Sequence, residues 1–372
     1  MTFTADDHRY MQRAFELAEQ GLFTTDPNPR VGCVLVLNGS IVGEGFHQKA
    51  GEPHAERHAL LAAGANARGA TCYVTLEPCS HTGRTGPCAD ALIEAGVSKV
   101  VAAMQDPHQR VAGKGFEKLR AAGIEVQVGL LETQARALNP GFIQRMETGR
   151  PFVRLKLAMS LDGRTAMANG ESKWITGAAA REDVQRLRAR SSAIVTGVGT
   201  VLADDPGLTV RPADWHVLTY PDASVRQPLR VVLDRNLRTP ASAKLLGEAG
   251  NTLLVSAVDP SPKLAAALSA EGAEVIHLPS SGSGIDLREL LGELGRRECN
   301  EILVEAGPTL AAAFMSGDWV DELVVYMAPS LLGSSARPLM VLPQLVAMKD
   351  KIELKYSDVA LVGDDVRVTL TR

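Results

Sequence analysis

The chain has 372 residues, 45% of them hydrophobic and 22% charged, which excludes a disordered or fibrous class. At roughly 100 to 200 residues per domain, this length calls for two or three separate cores. A net charge of −4, with no basic tail or stripe behind it, argues against a long nucleic acid as partner and in favour of a small-molecule substrate. The first nine residues include Asp6, Asp7, His8 and Arg9 and lack the apolar centre of a secretory signal. No run of about 18 apolar residues follows, so neither a membrane span nor a membrane partner is expected. A cytoplasmic location is the simplest placement.

Tyr10, Met11, Ala14, Phe15, Leu17 and Ala18 recur at helical spacing, which predicts a helix over 6–20 that stops at Gly21. Val31 to Leu37 and Ile41 to Phe46 read as strands joined by Asn38-Gly39, the strongest short hairpin signal. A helix is expected from His54 to Ala63, a strand over 71–76, a helix over 88–95 and a strand over 99–104. The helix-then-strand unit repeats at 115–122 and 124–128. This alternation predicts a three-layer α/β domain. The pattern changes near Thr148-Gly149-Arg150-Pro151, placing a boundary at about residue 148, with domains 1–148 and 149–372. The second half also reads as α/β, with strands near 152–159, 193–196, 229–233, 252–255, 274–278, 301–304 and 323–326. Pro279-Ser-Ser-Gly-Ser-Gly284 suggests a flexible loop between Leu278 and Ile285.

Five cysteines, thinly spread and odd in number, suit reduced thiols and a metal site better than a disulfide framework. His54-Ala55-Glu56, then Pro78-Cys79 and Cys88, supply one imidazole, two thiols and a carboxylate. A zinc ion held by His54, Cys79 and Cys88 would keep a fourth position open and acidify water there, with Glu56 free to move protons. H-x-E followed by P-C-x-x-C is the pattern of zinc nucleobase deaminases. Here eight residues, Ser80 to Pro87, separate the two cysteines. Pro53 and Pro87 place His54 and Cys88 at helix starts, where unpaired N–H groups favour a thiolate. His81, inside the long loop, is either a fourth ligand or a pocket residue. A zinc-stabilised module without catalysis, or a tRNA or nucleoside deaminase with an appended domain, are the rival readings; the second lacks a basic groove.

Asp26-Pro-Asn-Pro29, Val31-Gly32-Cys33, Gly51-Glu-Pro-His-Ala-Glu56 and the run from Thr75 to Cys88 resemble the bifunctional riboflavin-biosynthesis deaminase/reductase family. So do Lys156-Leu-Ala-Met-Ser-Leu-Asp-Gly-Arg-Thr-Ala166, Ser172-Lys-Trp-Ile-Thr176, Val198-Gly-Thr-Val-Leu-Ala-Asp-Asp-Pro206, Leu208-Thr-Val-Arg211 and Val304-Glu-Ala-Gly-Pro-Thr-Leu310. The resemblance covers nearly the whole chain. It implies a cytidine-deaminase-like N-terminal domain and a dihydrofolate-reductase-like C-terminal domain, with Zn2+ and NADPH as cofactors. The implied substrate is a phosphoribosylaminopyrimidine, deaminated at the ring and then reduced from ribosyl to ribityl.

Residue by residue, the family implies His54, Cys79 and Cys88 as zinc ligands and Glu56 as proton shuttle, with Asn28, His47 and His81 contacting the pyrimidine. It implies Ala158, Trp174, Thr200, Asp204, Gly307, Pro308, Thr309 and Leu310 at the NADP and Ser172, Arg188, Leu208, Arg211 and Glu305 at the reductase substrate. Arg188 and Arg211 could fork onto a phosphate, and Gly307 could let backbone N–H groups approach the cofactor. Lys156 is a further candidate for reductase catalysis, with a structural ion pair as its alternative. Two departures stand out: Gly86 where the family often has proline, and Ala306 where many members have glycine. Association into a homo-oligomer is compatible with the sequence.

Overall fold

The structure is a computed structural model that describes residues 3–80, 86–108, 111–211, 225–259, 261–282 and 284–372. These residues divide into two compact units, one ending at Gly149 and one beginning at Arg150.

The first unit opens with α1 (Ala5–Glu19), whose start is fixed by a capping box between Thr4 and Asp7. Strands β1 (Gly32–Leu37) and β2 (Ser40–Phe46) form the expected hairpin. Asn38 (φ 53°) and Gly39 (φ 79°) both occupy the left-handed region that a two-residue Asn-Gly turn demands. Then come α2 (Ala55–Ala63), β3 (Thr71–Val74), α3 (Cys88–Ala95), β4 (Lys99–Ala102), α4 (Lys114–Ala121), β5 (Glu125–Val128), α5 (Glu132–Leu138) and α6 (Pro140–Thr148). The sheet order is β2-β1-β3-β4-β5, with β1 antiparallel to both neighbours and β3, β4 and β5 parallel.

Side-chain alternation along each strand feeds two cores. Cys33, Leu35, Cys72, Val74, Val100 and Ala102 pack with Ala55, Ala59, Ala89, Leu92 and Phe116 on one face. Val34, Val36, Tyr73 and Val101 pack with Tyr10, Met11, Phe15 and Ile143 on the other. Both faces are covered, so the strands are apolar throughout. Helix α2 lies unusually close to β2: a Cβ at Gly43 would stand 2.2 Å from the Ala59 carbonyl oxygen, and one at Gly45 2.5 Å from that of Ala55. Only glycine permits this approach of backbone to backbone.

The second unit contains β6 (Phe152–Ser160), β7 (Arg164–Ala166), α7 (Ala178–Arg190), β8 (Ala193–Gly197), α8 (Val198–Asp204), β9 (Leu229–Leu233), α9 (Lys244–Gly247), β10 (Thr252–Ser256), α10 (Pro262–Ala270) and β11 (Ala273–His277). After them come β12 (Ser280–Ser281), β13 (Gly284–Ile285), α11 (Leu287–Arg296), β14 (Glu301–Glu305), α12 (Pro308–Ser316), β15 (Glu322–Ala328), β16 (Arg337–Pro338), β17 (Lys355–Val362) and β18 (Asp365–Thr371). Nine strands form one sheet in the order β11-β10-β9-β8-β14-β6-β15-β18-β17. The strands from β11 to β15 run parallel, and β18 and β17 close the edge antiparallel. Val153, Leu155, Val195, Val231, Ile302 and Val304 form the main core with Leu290, Leu294 and Phe314.

Both halves are therefore α/β as expected, with differences at particular places. The strand expected to reach Leu76 ends at Val74, because Thr75 and Leu76 turn the chain towards Cys79. The segment expected to be a flexible loop contains the antiparallel pair β12 and β13. Helices α5 and α6 and the β17–β18 hairpin were not anticipated from the sequence. No helix among the described residues is long and apolar enough to cross a membrane.

Candidate active sites

His54 is the N-cap of α2, with an extended backbone (φ −76°, ψ 167°), and Glu56 falls in the first turn. Pro87 is the N-cap of α3, and Cys88 is its first residue. Both prolines thus sit just outside their helices, one position or more before the usual N1 site. Cys79 arrives on the loop after β3. The His54 Nδ1 atom is 3.6 Å from Cys79 Sγ and 3.4 Å from Cys88 Sγ, and all three ligand atoms lie within 4.8 Å of one another. Tetrahedral bonds of about 2.0 Å to nitrogen and 2.3 Å to sulfur put N and S roughly 3.5 Å apart, so the donor set fits zinc. Among the described residues the ligands number three, and three ligands leave the fourth position of a tetrahedral site for water or substrate.

The electrostatics agree with a site built for a cation. A hydrogen bond from Cys88 draws the Cys79 thiol down to about 4 against the effect of its burial, and His54 and the Cys88 backbone N–H (3.3 Å) assist. Cys88, hydrogen-bonded to Cys79 and buried beside it, is pushed up. Between them the thiols keep one proton, which a cation beside both would release. Glu56 is 3% exposed, and burial followed by the Cys79 charge raises its carboxyl above the usual range.

His47 is also only 3% exposed. Its Nδ1 lies 3.1 Å from the Pro53 carbonyl oxygen, which can only accept, so Nδ1 carries the proton. The other nitrogen, 3.1 Å from Asn28 Nδ2, must then accept, and this orients the Asn28 amide. Burial pushes His47 down to about 4, which keeps it neutral. The pyrimidine-contact candidate Asn28 is thus backed by His47, whose ring stands edge-on to that of His54. His81 lies outside the described residues. Gly86, the first departure, offers its carbonyl to Arg57 Nη2 at 2.9 Å.

In the second unit, a cavity of about 1710 Å³ opens at the carboxyl ends of β8, β9 and β14 and along β6. Lys156, Ala158, Ser172, Trp174, Arg188, Thr200, Asp204, Leu208, Arg211, Glu305, Gly307, Pro308, Thr309 and Leu310 all line it. Carboxyl ends of parallel strands are where open α/β sheets bind ligands. At its floor, Glu305 on β14 stands in register with Lys156 on β6. Arg188 grips Glu305 through two bonds, Nε–Oε1 at 2.6 Å and Nη2–Oε2 at 3.0 Å, and donates from Nη1 to the Thr209 carbonyl at 3.0 Å. Burial would raise the Glu305 carboxyl, but Arg188 and then Lys156 and Arg211 hold it below the usual value. Burial lowers the Lys156 amine, opposed by Glu305.

Several candidates differ in detail from the sequence reading. The Arg188 fork expected to meet a phosphate is engaged by Glu305. Leu208 takes a left-handed backbone (φ 49°), and its side chain packs with Ile194 and Leu303, so it offers the cavity mainly backbone. Gly307, the N-cap of α12, has an ordinary extended backbone (φ −72°, ψ 176°). A Cβ there would meet nothing within 4 Å, so this glycine keeps the wall low rather than relieving strain. Ala306 packs against the main core. Trp174 is 71% exposed, with Arg181 stacked 4.7 Å from its ring centre. Arg235, Arg238 and Lys244, also lining the cavity, were not picked out from the sequence. Their clustering after β9, on either side of Pro240, is the signal that was available.

Residues 4–104 match the cytidine and deoxycytidylate deaminase zinc-binding region, and residues 151–368 match the RibD C-terminal domain. A riboflavin biosynthesis protein RibD from Escherichia coli (strain K12) is 52% identical, over 97% of this chain and 98% of its own length. That from Bacillus amyloliquefaciens is 42% identical over 97% and 95%. Among solved structures, Acinetobacter baumannii RibD, form 1, superposes with a TM-score of 0.90 at 47% identity, covering 98% of both chains. A Thermotoga maritima diaminohydroxyphosphoribosylaminopyrimidine deaminase/5-amino-6-(5-phosphoribosylamino)uracil reductase gives 0.83 at 34% identity, again covering 98% of both. A zinc-binding deaminase domain followed by a reductase domain defines a bifunctional enzyme, hydrolase and oxidoreductase in one chain. The chain belongs to the RibD family of riboflavin-biosynthesis enzymes, which uses zinc in the first step and NADPH in the second.

Proposed function

We propose that residues 1–148 deaminate 2,5-diamino-6-(5-phosphoribosylamino)pyrimidin-4(3H)-one and that residues 149–372 then reduce the ribosyl side chain of the product to ribityl. The observation that carries the first step is the cage of His54, Cys79 and Cys88 around one point, with the buried Glu56 beside it. Bound there, zinc would polarise a water molecule for attack on the ring carbon bearing the amine. Glu56 would take one proton from that water and pass it to the adjacent ring nitrogen as oxygen adds to the carbon, then carry the remaining hydroxyl proton to the departing amine, so that the amine-bearing carbon becomes a carbonyl and ammonia leaves. Its raised proton affinity suits both acceptance and return. Asn28, with its amide nitrogen committed to His47, presents its oxygen to N–H groups of the pyrimidine.

In the reductase cavity NADPH would supply hydride. Ala158, Trp174, Thr200, Asp204 and the turn Gly307 to Leu310 hold the cofactor in this reading, with the open space before Gly307 admitting it. Ser172, Leu208, Arg211 and Glu305 hold the substrate, and Arg211 meets its phosphate. Arg188 keeps Glu305 ionised and fixed. Lys156, in register with Glu305, is the further candidate for reductase catalysis in this reading. We place the enzyme in the cytoplasm, where its five free cysteines stay reduced.

Incubation with the diaminopyrimidine substrate tests both steps, ammonia and NADPH being followed separately. Ammonia should appear without NADPH, and NADPH oxidation should require prior deamination. Glu56→Gln should keep its zinc, by metal analysis, while ammonia release falls by about 10² to 10⁴-fold. Normal turnover by that variant would refute the assigned role.

A further inference from the structure

Two residues before Cys79 lies a carboxylate that the reaction scheme does not use. Glu77 is 4% exposed and accepts three backbone hydrogen bonds: from Asp106 (3.1 Å) and Gly113 (2.9 Å) at Oε2 and from Gly115 (2.8 Å) at Oε1. Gly113 is the N-cap of α4 and has no side chain to cap it. Glu77 therefore caps α4 from another part of the chain, placing a negative charge where the helix presents unpaired N–H groups. The contact is tight: a Cβ on Gly115 would stand 2.0 Å from the Pro78 carbonyl oxygen. The carboxylate and this close approach together pin Glu77-Pro78-Cys79 to the start of α4. Cys79 in turn accepts the Cys88 backbone N–H and faces His54.

We propose that Glu77 is a positioning residue of the metal centre, fixing the Cys79 thiolate through its clamp on α4. This rests on His54, Cys79 and Cys88 being the zinc site. Side chains that orient metal ligands typically hold about 10- to 100-fold of the metal affinity. Glutamine at position 77 has one acceptor oxygen and an amide nitrogen that would face a backbone N–H donor, so it cannot satisfy all three bonds.

The test measures zinc release from the full-length protein to a chromogenic chelator, alongside thermal melting. Glu77→Gln and Gly115→Ala should each release zinc at least about tenfold faster than the parent. Ile124→Val and Leu119→Ala loosen the packing around α4 without touching the clamp, and they define how release depends on stability alone. The clamp variants should lie well off that line, with reductase turnover of the deaminated substrate unchanged. Clamp variants falling on the line, or releasing zinc at the parental rate, would overturn the proposal. Should Glu77→Gln fail to fold, Gly115→Ala decides by the same comparison. A parent protein that holds no zinc would sink the metal site itself, a result distinct from tight zinc in Glu77→Gln.

Discussion

Three ligand atoms in the first unit lie within 4.8 Å, carried by two helix starts and one loop, whereas the second unit spreads its candidate residues around about 1710 Å³. The difference follows from the tasks. A metal centre needs a few donors at fixed distances, and helix starts deliver them with little freedom. A cavity for a dinucleotide and a sugar phosphate needs length, so its walls come from several strand ends far apart in sequence. Polar groups in the two sites are also neutralised differently. The cage leaves one thiol for a cation to ionise, while the cavity floor arrives with Glu305 already paired to Arg188.

The sharpest way to break this comparison is to remove the metal. Chelation, or Cys88→Ser, should abolish ammonia release and leave NADPH oxidation on the deaminated substrate intact. Loss of both activities would show that the metal also supports the reductase unit. Next in size is the Arg188–Glu305 pair. Glu305→Gln and Arg188→Lys should each lower reductase kcat/KM by about 10- to 100-fold, since an unpaired buried charge or a lost fork disturbs the same group. If Arg188 acts through Glu305, the double variant should be little worse than the poorer single one. Additive losses would return Arg188 to direct substrate contact. Arg211→Ala should raise the KM for the phosphorylated substrate about tenfold with a smaller change in the NADPH dissociation constant.

The smallest effect concerns stability of the first unit. Burial pushes the Asp7 carboxyl up, but the Thr4 backbone N–H and the Tyr73 and Thr4 hydroxyls outweigh it, and the group ends lower than usual. Such a carboxylate stabilises the fold above its unfolded pKa and loses that contribution as pH falls through the folded one. Asp7→Asn should therefore lose about 1 to 2 kcal/mol at neutral pH and flatten the acid limb below about pH 4 in a melting series. An unchanged acid limb would assign that limb to other carboxylates.

Local patterns explain what was readable. The Asn38-Gly39 turn and the apolar spacing of α1 are each contained in a few neighbouring residues, and the order His54, Glu56, Cys79, Cys88, though spread over 34 positions, is marked by the short patterns His-Ala-Glu and Pro-Cys. The Arg188–Glu305 pair joins positions 117 apart, and the clamp of Glu77 on Gly113 and Gly115 spans a strand and a helix. No short-range periodicity encodes such partners. The resemblance found the cavity residues, but it could not show that Arg188 faces a carboxylate or that the Leu208 side chain turns inward. The strand boundary at Val74 was missed because Thr75 and Leu76 are good strand formers overruled by the turn towards Cys79.

The bare backbone contact of β2 with α2 has a genetic corollary. Gly43 and Gly45 carry no chemistry, yet any side chain there would lift the helix bearing His54 and Glu56 away from its bed. Saturation mutagenesis should find these two codons nearly as intolerant as those of the ligands. Neither shortening the opposing side chains nor supplementing the growth medium with zinc would rescue their failures, because the obstruction is the carbonyl oxygens of Ala55 and Ala59.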